Sequence, residues 1–363
     1  MKKKLRSGFT TGTAAAAAVK GALHLLAKGI APGQVRIPFL SQGHVNIPLK
    51  RCEKISQDQA LCTVIKDGGD DPDVTHNAEI GAIVTLDRTL EKIRIRGGKG
   101  VGRVTKPGLG LPVDGPAINP GPCTMIRMAV EDVLGTDAKG IDIEVFVEDG
   151  EQIAERTLNA RLGILGGISI LGTTGVVRPM SHDAYIATIG SSLAVAAAAG
   201  LAQVVFTTGR RSERYAMKRF PQLPDEAFVQ IGDFFKASLE KAVETGIKSV
   251  TLAVFFGKAV KMAQGAPHTH AAKSDVSLDT LAGWALEISG DHSLFNHVKA
   301  ANTARHAFDM VYPVWPGVIQ KVGETMKKWA ESFSRGEINI RSLIFDFEGT
   351  VIFDSNEKKE GAS

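Results

Sequence analysis

From Gln203 to Phe220 the chain reads QVVFTTGRRSERYAMKRF, and its period changes part-way along. Gln203 to Phe206 is a short β-branched and aromatic run suited to a buried strand, whereas Ser212 to Arg219 is spaced as a helix. Outward from this pair the alternation continues. A helix over Asp183 to Ala199 precedes it; a strand at Phe228 to Ile231, a helix from Phe234 to Thr245, a strand from Ser249 to Phe255 and a helix from Lys258 to Ala263 follow. Ile168 to Leu171 reads as one more buried strand at the start, and helices at Ser277 to Ser289, Asn302 to Phe308 and Val318 to Ser334 lead to a terminal strand region, Ile338 to Val351. Parallel strands joined by helices require crossovers, so residues 159–356 are expected to form an α/β, doubly wound, mostly parallel-sheet domain.

Upstream the pattern differs. A helix from Thr13 to Lys28, capped by Thr13 and stopped by Gly29, opens the chain. Short strand-like runs follow at Gln34 to Leu40, His44 to Leu49, Ala60 to Lys66, Gly81 to Asp87 and Lys92 to Arg96. A helix at Thr124 to Leu134, a strand at Ile141 to Val147 and a turn at Asp149-Gly150 into Gln152 to Thr157 complete an α+β N-terminal domain with short strands over 1–158. A length of 363 residues also favours two cores. The charged end, 357–363, is expected to be disordered.

Charges of both signs run through the chain and the formal net charge is only +4, which gives no footprint for nucleic acid. Cys52, Cys62 and Cys123 lack paired spacing and read as reduced core thiols, which points to a cytoplasmic protein. The uncharged run from Ile186 to Phe206 is long enough for a bilayer, but Gly200 and Gln203 interrupt it. A buried helix, a turn and a strand explain it better than a membrane span. The start, Lys2-Lys3-Lys4-Leu5-Arg6, lacks a signal peptide's apolar core because Thr10, Thr11, Gly12 and Thr13 follow.

Several segments carry chemistry. Thr10, Thr11, Gly12 and Thr13 stand where a helix N-terminus favours an anion, so they are candidate substrate contacts; an ordinary capped helix is the alternative. Arg96-Gly97-Gly98-Lys99-Gly100-Val101-Gly102-Arg103-Val104-Thr105-Lys106-Pro107-Gly108 interleaves glycines with cations, which suits close approach of carboxylates; a solvated loop is the alternative. Lys99, Arg103 and Lys106 are its candidate binding residues. In Gly115 to Pro122, a rigid turn, Asn119 is the one polar side chain able to hydrogen-bond a ligand or, alternatively, the backbone of a fixed loop.

Gly172-Thr173-Thr174-Gly175 and Thr207-Thr208-Gly209-Arg210 each follow a predicted strand, and ligands of α/β sheets bind beyond such strand ends. Both are assigned to an uncharged adenosine-sized group in one crevice, with helix capping as the alternative. His268 and His270 stand two apart, yet no nearby thiol or carboxylate completes a zinc set. Thr269 and His270 are therefore read as substrate-facing. Ile344 to Val351 mimics a dehalogenase-type nucleophile strand, but too little chain follows it; a strand and turn is expected.

Taken in order, these segments resemble the cobalt-precorrin-5B C-1-methyltransferase (CbiD) family: GFTTGT before an Ala-rich helix, GGKGVGRVTKPGL, GPAINPGP, LGILGGISILGTTGVVRPMS, FTTGRRSE, a Thr-His pair and Ala301-Asn302-Thr303. The resemblance runs from about Gly8 to about Gly349. It implies methyl transfer from S-adenosylmethionine to C-1 of a cobalt-containing corrinoid, with cobalt arriving in the substrate and no protein-bound metal. It departs at Ala14, where a Cys is usual, and before Thr269, where Ala-Pro-His replaces a His-aromatic-Asn sequence.

Such a reaction needs no enzyme nucleophile, only in-line alignment and desolvation. The substrate's acetates and propionates could pair with Arg96, Lys99, Arg103, Lys106, Arg178, Arg210 and Arg211. Two alternatives stay open: a nucleotide-dependent oxidoreductase, disfavoured because neither of the first two predicted α/β strands ends in a ribose-binding acid, and a non-catalytic tetrapyrrole carrier. Oligomeric state is left open.

Overall fold

The computed structural model describes residues 5–270 and 277–357. Of the expected tail at 357–363 all but Glu357, and the basic start at 1–4, lie outside the described residues. The chain divides into two units, Met1–Ser181 and His182–Ser363.

The first unit contains, in order, β1 (Gly8–Phe9), α1 (Thr11–Lys28), β2 (Gln34–Pro38), β3 (His44–Pro48), β4 (Arg51–Lys54), β5 (Gln59–Ile65), β6 (Glu79–Leu86), β7 (Ile93–Gly97), β8 (Gly100–Val101), β9 (Arg103–Val104), α2 (Pro120–Leu134), β10 (Ile141–Val147), α3 (Gly150–Ala154), β11 (Ile164–Leu165), β12 (Gly167–Ile168) and β13 (Val176–Val177). Its main sheet has the order β4-β5-β6-β10-β7. Every residue of α1 from Thr11 to Leu23 is buried, as befits a helix apolar on all sides and enclosed by its unit. The alanines at 14–18 let β5, β6 and α2 approach its axis closely. Lys20 on this buried helix is satisfied by the Arg36 carbonyl at 2.7 Å and by Asp132 at 2.6 Å.

Three expectations are corrected in this unit. Residues 159–181, read as the start of the α/β domain, belong to the first unit, because β11 pairs with β9, β12 with β8 and β13 with β1. Gly150–Ala154 is helical where a turn at Asp149-Gly150 leading into Gln152 to Thr157 was expected. Cys52 and Cys62, read as free thiols, stand directly opposite each other across β4 and β5, with α-carbons 4.1 Å apart, and are joined as a disulfide. Their register brings them together; nothing in the sequence spacing shows it.

The second unit contains α4 (His182–Ala198), β14 (Gln203–Thr207), α5 (Arg210–Arg219), β15 (Phe228–Gln230), α6 (Phe235–Glu244), β16 (Ser249–Phe255), α7 (Phe256–Ala263), α8 (Leu278–Ser289), α9 (His292–Lys299), α10 (Ala304–Val311), α11 (Pro316–Phe333), β17 (Asn339–Phe345) and β18 (Val351–Asp354). One five-stranded sheet, order β15-β14-β16-β17-β18, is parallel except for β18. Its alternating side chains feed two cores. Val204, Phe206, Val250 and Leu252 meet α4, α6, α7 and α11, while Val205, Phe228, Ala253 and Leu343 meet Ala216 and Phe220 from the α5 side. The uncharged Ile186 to Phe206 run is a helix, a turn and a strand, and among the described residues no helix is long and apolar enough to cross a membrane. Ile344 to Val351 is a strand and turn, in which Asp346 Oδ1 accepts from the amides of Glu348, Gly349 and Thr350.

Candidate functional site

In the first unit the start of α1 is closed by the 169–175 segment. Thr10 caps the helix by accepting from the Thr13 amide at 3.2 Å, and the Gly12 amide donates to the Leu171 carbonyl at 3.1 Å. The Thr11 hydroxyl accepts from the Leu171 amide at 2.8 Å, and the Thr13 hydroxyl donates to the Gly175 carbonyl at 2.8 Å. All three threonines are buried. Thr10, Thr11, Gly12 and Thr13, expected to contact substrate, thus have protein carbonyls, hydroxyls and amides as partners in this structure. Gly172 and Gly175 pack against Thr10 and Thr13 within the first unit, so the strand they were expected to follow is not one of the second unit's parallel strands. Thr173 and Thr174 are exposed on that segment.

The glycine-cation loop forms β8 and β9 and their connections. A β-carbon at Gly100 would strike the Val147 carbonyl and one at Gly102 the Ile164 side chain, so these glycines serve close strand packing. Three of its cations are exposed and have an acidic neighbour: Arg96 meets Asp142 and Glu144, Lys99 stands 3.8 Å from Glu148, and Arg103 bonds Asp114 at 2.9 Å. Lys106 is half-buried, with its stem against Gly163. Asn119 precedes α2 and makes no side-chain capping bond. Its amide donates to the Ile170 carbonyl at 2.9 Å.

In the second unit a polar cluster occupies the carboxyl ends of β15, β14 and β16. The Thr207 carbonyl, closing β14, accepts from the Ile231 amide at 2.8 Å just beyond β15. Two residues later Asp233 pairs with Lys258 of α7, and its Oδ1 also accepts from the Thr269 hydroxyl at 3.0 Å. Burial works to raise the Asp233 carboxyl, but the Lys258 bond and charge, with the Thr269 bond, hold it below the usual carboxylate range. Thr269 is fully buried: its amide donates to the Asp233 carbonyl at 2.9 Å and its carbonyl accepts from Lys258 and Lys261. Thr269, expected to face substrate, therefore has a protein partner for each of its polar atoms. His270 is exposed.

An aromatic wall stands beside Asp233. Phe234 stacks on Tyr185 at 5.1 Å between ring centroids and meets His268 and His182 edge-on at 4.8 and 5.3 Å. Burial, then the charges of Asp233 and Glu213, push the Tyr185 phenol up. At Gly209, whose φ of 166° is extended, an added β-carbon would meet nothing within 4 Å, so the approach to Thr208-Gly209 is open. Arg210 is exposed; Arg211 reaches the Phe347 carbonyl and lies over the Phe255 ring at 5.0 Å.

Asp233, Lys258 and Tyr185 were missed by the sequence reading. The available signal was Gly232-Asp233 directly after a predicted strand. With 167–168 removed from this sheet, β15 becomes the second parallel strand in chain order, and an acid does follow it. The argument against a nucleotide ligand is corrected accordingly. Among the described residues no group of three or more His, Cys, Asp or Glu is placed to hold a metal ion.

Residues 1–179 match the CbiD family model and residues 268–356 the one described as CbiD, C-terminal domain. A relative from Salinispora arenicola, named cobalt-precorrin-5B C(1)-methyltransferase, is 45% identical over 97% of this chain and 93% of its own. The chain belongs to the CbiD family. Another CbiD relative carrying the same name, from Nitratidesulfovibrio vulgaris, is 42% identical over 96% of this chain and 92% of its own. A solved CbiD cobalamin biosynthesis protein from Archaeoglobus fulgidus is 26% identical, covering 70% of this chain and 78% of its own, with a TM-score of 0.39.

Proposed function

We propose that this chain is the S-adenosylmethionine-dependent methyltransferase that acts on C-1 of cobalt-precorrin-5B, giving cobalt-precorrin-6A in cobalamin biosynthesis. The observation that carries this reading is identity of 45% along 97% of the chain to a relative with that named activity. S-adenosylmethionine supplies an electrophilic methyl group when bound.

On a doubly wound reading of the second unit, the donor lies at the carboxyl ends of β14 and β15, where Thr207, Thr208, Gly209 and Arg210 line an open approach. The first unit takes the corrinoid. Lys99, Arg103 and Lys106 offer charge to its carboxylates and Asn119 a hydrogen bond. Binding there competes with Asp114 and Glu148, which costs little, because exposed pairs of this kind are worth only about 0 to 1 kcal/mol. Exposed Thr173 and Thr174 remain available to a ligand, whereas the buried hydroxyls of Thr10, Thr11 and Thr13 keep the α1 start rigid. Fixing two reactants in attack geometry can supply about 7 to 11 kcal/mol of the barrier, so positioning is the chain's main contribution.

Incubation with methyl-labelled S-adenosylmethionine and the anaerobic corrinoid tests the reading. Label in the corrinoid is the expected result. Binding of both compounds without transfer would leave a carrier, and binding of a nicotinamide nucleotide with hydride transfer would establish the oxidoreductase alternative.

A further inference from the structure

The structure assigns a specific recognition role to Asp233: with one oxygen fixed by Lys258 and Thr269, it accepts hydrogen bonds from the ribose hydroxyls of the adenosine donor. The inference rests on the reading that the second unit binds S-adenosylmethionine, and it deepens that reading by naming the group that selects a ribonucleoside.

The placement comes from topology. β14 lies between β15 and β16, and the chain reaches β15 from β14 through α5. The residue just past the second strand of such a unit stands beside the first strand's end, within reach of the sugar of a nucleoside seated there. Asp233 occupies that position, and the Ile231 bond to the Thr207 carbonyl ties the two strand ends together.

The chemistry is also suitable. Both side-chain donors to Asp233, Lys258 Nζ and Thr269 Oγ1, fall on Oδ1. Oδ2 is thus available to a hydroxyl pair, and the lysine keeps the carboxylate ionised as an acceptor. Thr269 acts here as a positioning residue, fixing the acid and, through its carbonyl, the ammonium. Gly232 holds a φ of +55°, and a β-carbon there would stand 2.8 Å from the Tyr185 hydroxyl. Tyr185, 40% exposed and backed by the buried Phe234 ring, therefore crowds against the acid's own turn and is the aromatic side chain on which a purine could lie beside its sugar.

Titration calorimetry with S-adenosylhomocysteine and its 2′-deoxy and 3′-deoxy analogues tests this on the full chain, its Asp233→Asn variant and its Thr269→Val variant. Wild-type protein should bind one or both deoxy analogues about 10- to 100-fold more weakly than the ribonucleoside. Asp233→Asn should lose a similar factor for the ribonucleoside but little more for the affected analogue, because the interaction is already gone. Thr269→Val should show a smaller loss with the same sugar dependence. Equal losses for all three ligands in Asp233→Asn would reduce Asp233 to a strut for the 268–270 segment. Wild-type protein that binds the deoxy analogues as tightly as the ribonucleoside overturns the inference without recourse to any variant. Absence of S-adenosylhomocysteine binding by wild-type protein removes the donor assignment and this inference together, whereas binding that Asp233→Asn leaves intact removes this inference alone.

Discussion

Gly172 lies against Thr10 so closely that a β-carbon at Gly172 would stand 2.4 Å from the threonine hydroxyl oxygen and 2.6 Å from its β-carbon. Its φ of +137° is also a region that side chains other than glycine's avoid. Steric overlap and backbone strain act together here, on the residue that caps α1.

Gly172→Val is therefore expected to destabilise the protein by about 3 kcal/mol or more, with any loss of ligand binding a consequence of unfolding. Gly209→Val is the contrasting variant. Its extended backbone and open surroundings accept the side chain, so the melting temperature should barely move while S-adenosylhomocysteine affinity falls. Thermal melts with calorimetry on both variants check the pair of outcomes; strong cofactor binding by Gly209→Val removes this glycine from the crevice.

How legible each element was depended on whether its partner mattered. Ile141–Val147 and Ser249–Phe255 were readable to the residue, since each is a short run rich in β-branched residues. Ile168 to Leu171 has the same apolar character, yet Ile168, with the preceding Gly167, pairs with Gly100–Val101 in the first unit and not with Gln203–Thr207. Period reports burial; it does not report the neighbour. That misplacement carried Gly172 and Gly175 with it and hid Asp233, whose significance depends on which strand is counted second. The short helix His292–Lys299 and the exposed edge strand Arg51–Lys54 went unread because neither has an apolar pattern long enough to stand out. For the same reason the facing of Cys52 and Cys62 was invisible: opposition across a ladder follows from register.

Asp114 is an internal competitor for the cation proposed to meet substrate. Arg103 bonds it at 2.9 Å, and both side chains are exposed. Arg103→Gln should weaken corrinoid binding about tenfold or more, while Asp114→Asn should leave it unchanged or strengthen it a few-fold by freeing the guanidinium. S-adenosylhomocysteine affinity should not respond to either change. Anaerobic titrations at low and high salt provide the check, with the Arg103 effect shrinking as salt rises. Equal corrinoid binding by wild type and Arg103→Gln returns the loop to a solvated basic turn.

Lys66 is fully buried, and its ammonium pairs with Asp73 at 2.5 Å in the turn that follows β5. Asp73 is further held by the Thr75 amide and hydroxyl. Removing one member strands a buried charge, so Asp73→Leu should cost about 3 to 5 kcal/mol in denaturant unfolding. Removing both is different. Lys66→Met with Asp73→Leu should recover much of that loss, because an apolar pair needs no ionic partner. A double variant as unstable as the single one would show that the turn depends on the aspartate's bonds to Thr75 more than on the ion pair.

Asp142 on β10 receives bonds from Arg94 and Arg96 of the neighbouring strand β7, at 2.7 Å in each case. Hydrogen bonding by Arg96 leads the effect; burial opposes it, Arg94 and both positive charges reinforce it, and the carboxyl is held down at about 2. A folded-state value below the unfolded value of about 3.9 means that the folded protein holds its proton less tightly. The contribution to stability is therefore complete above about pH 4 and is lost as pH falls through about 2. Since the arginines are themselves 44–47% exposed, solvent screening limits the contribution to about 1 to 2 kcal/mol. Asp142→Asn should lower the unfolding free energy by that amount at pH 7, and the gap between variant and wild type should close between pH 4 and pH 2. Denaturant melts across that range measure it. A gap that stays constant down to pH 2 would assign the loss to packing between β7 and β10, since packing has no reason to titrate there.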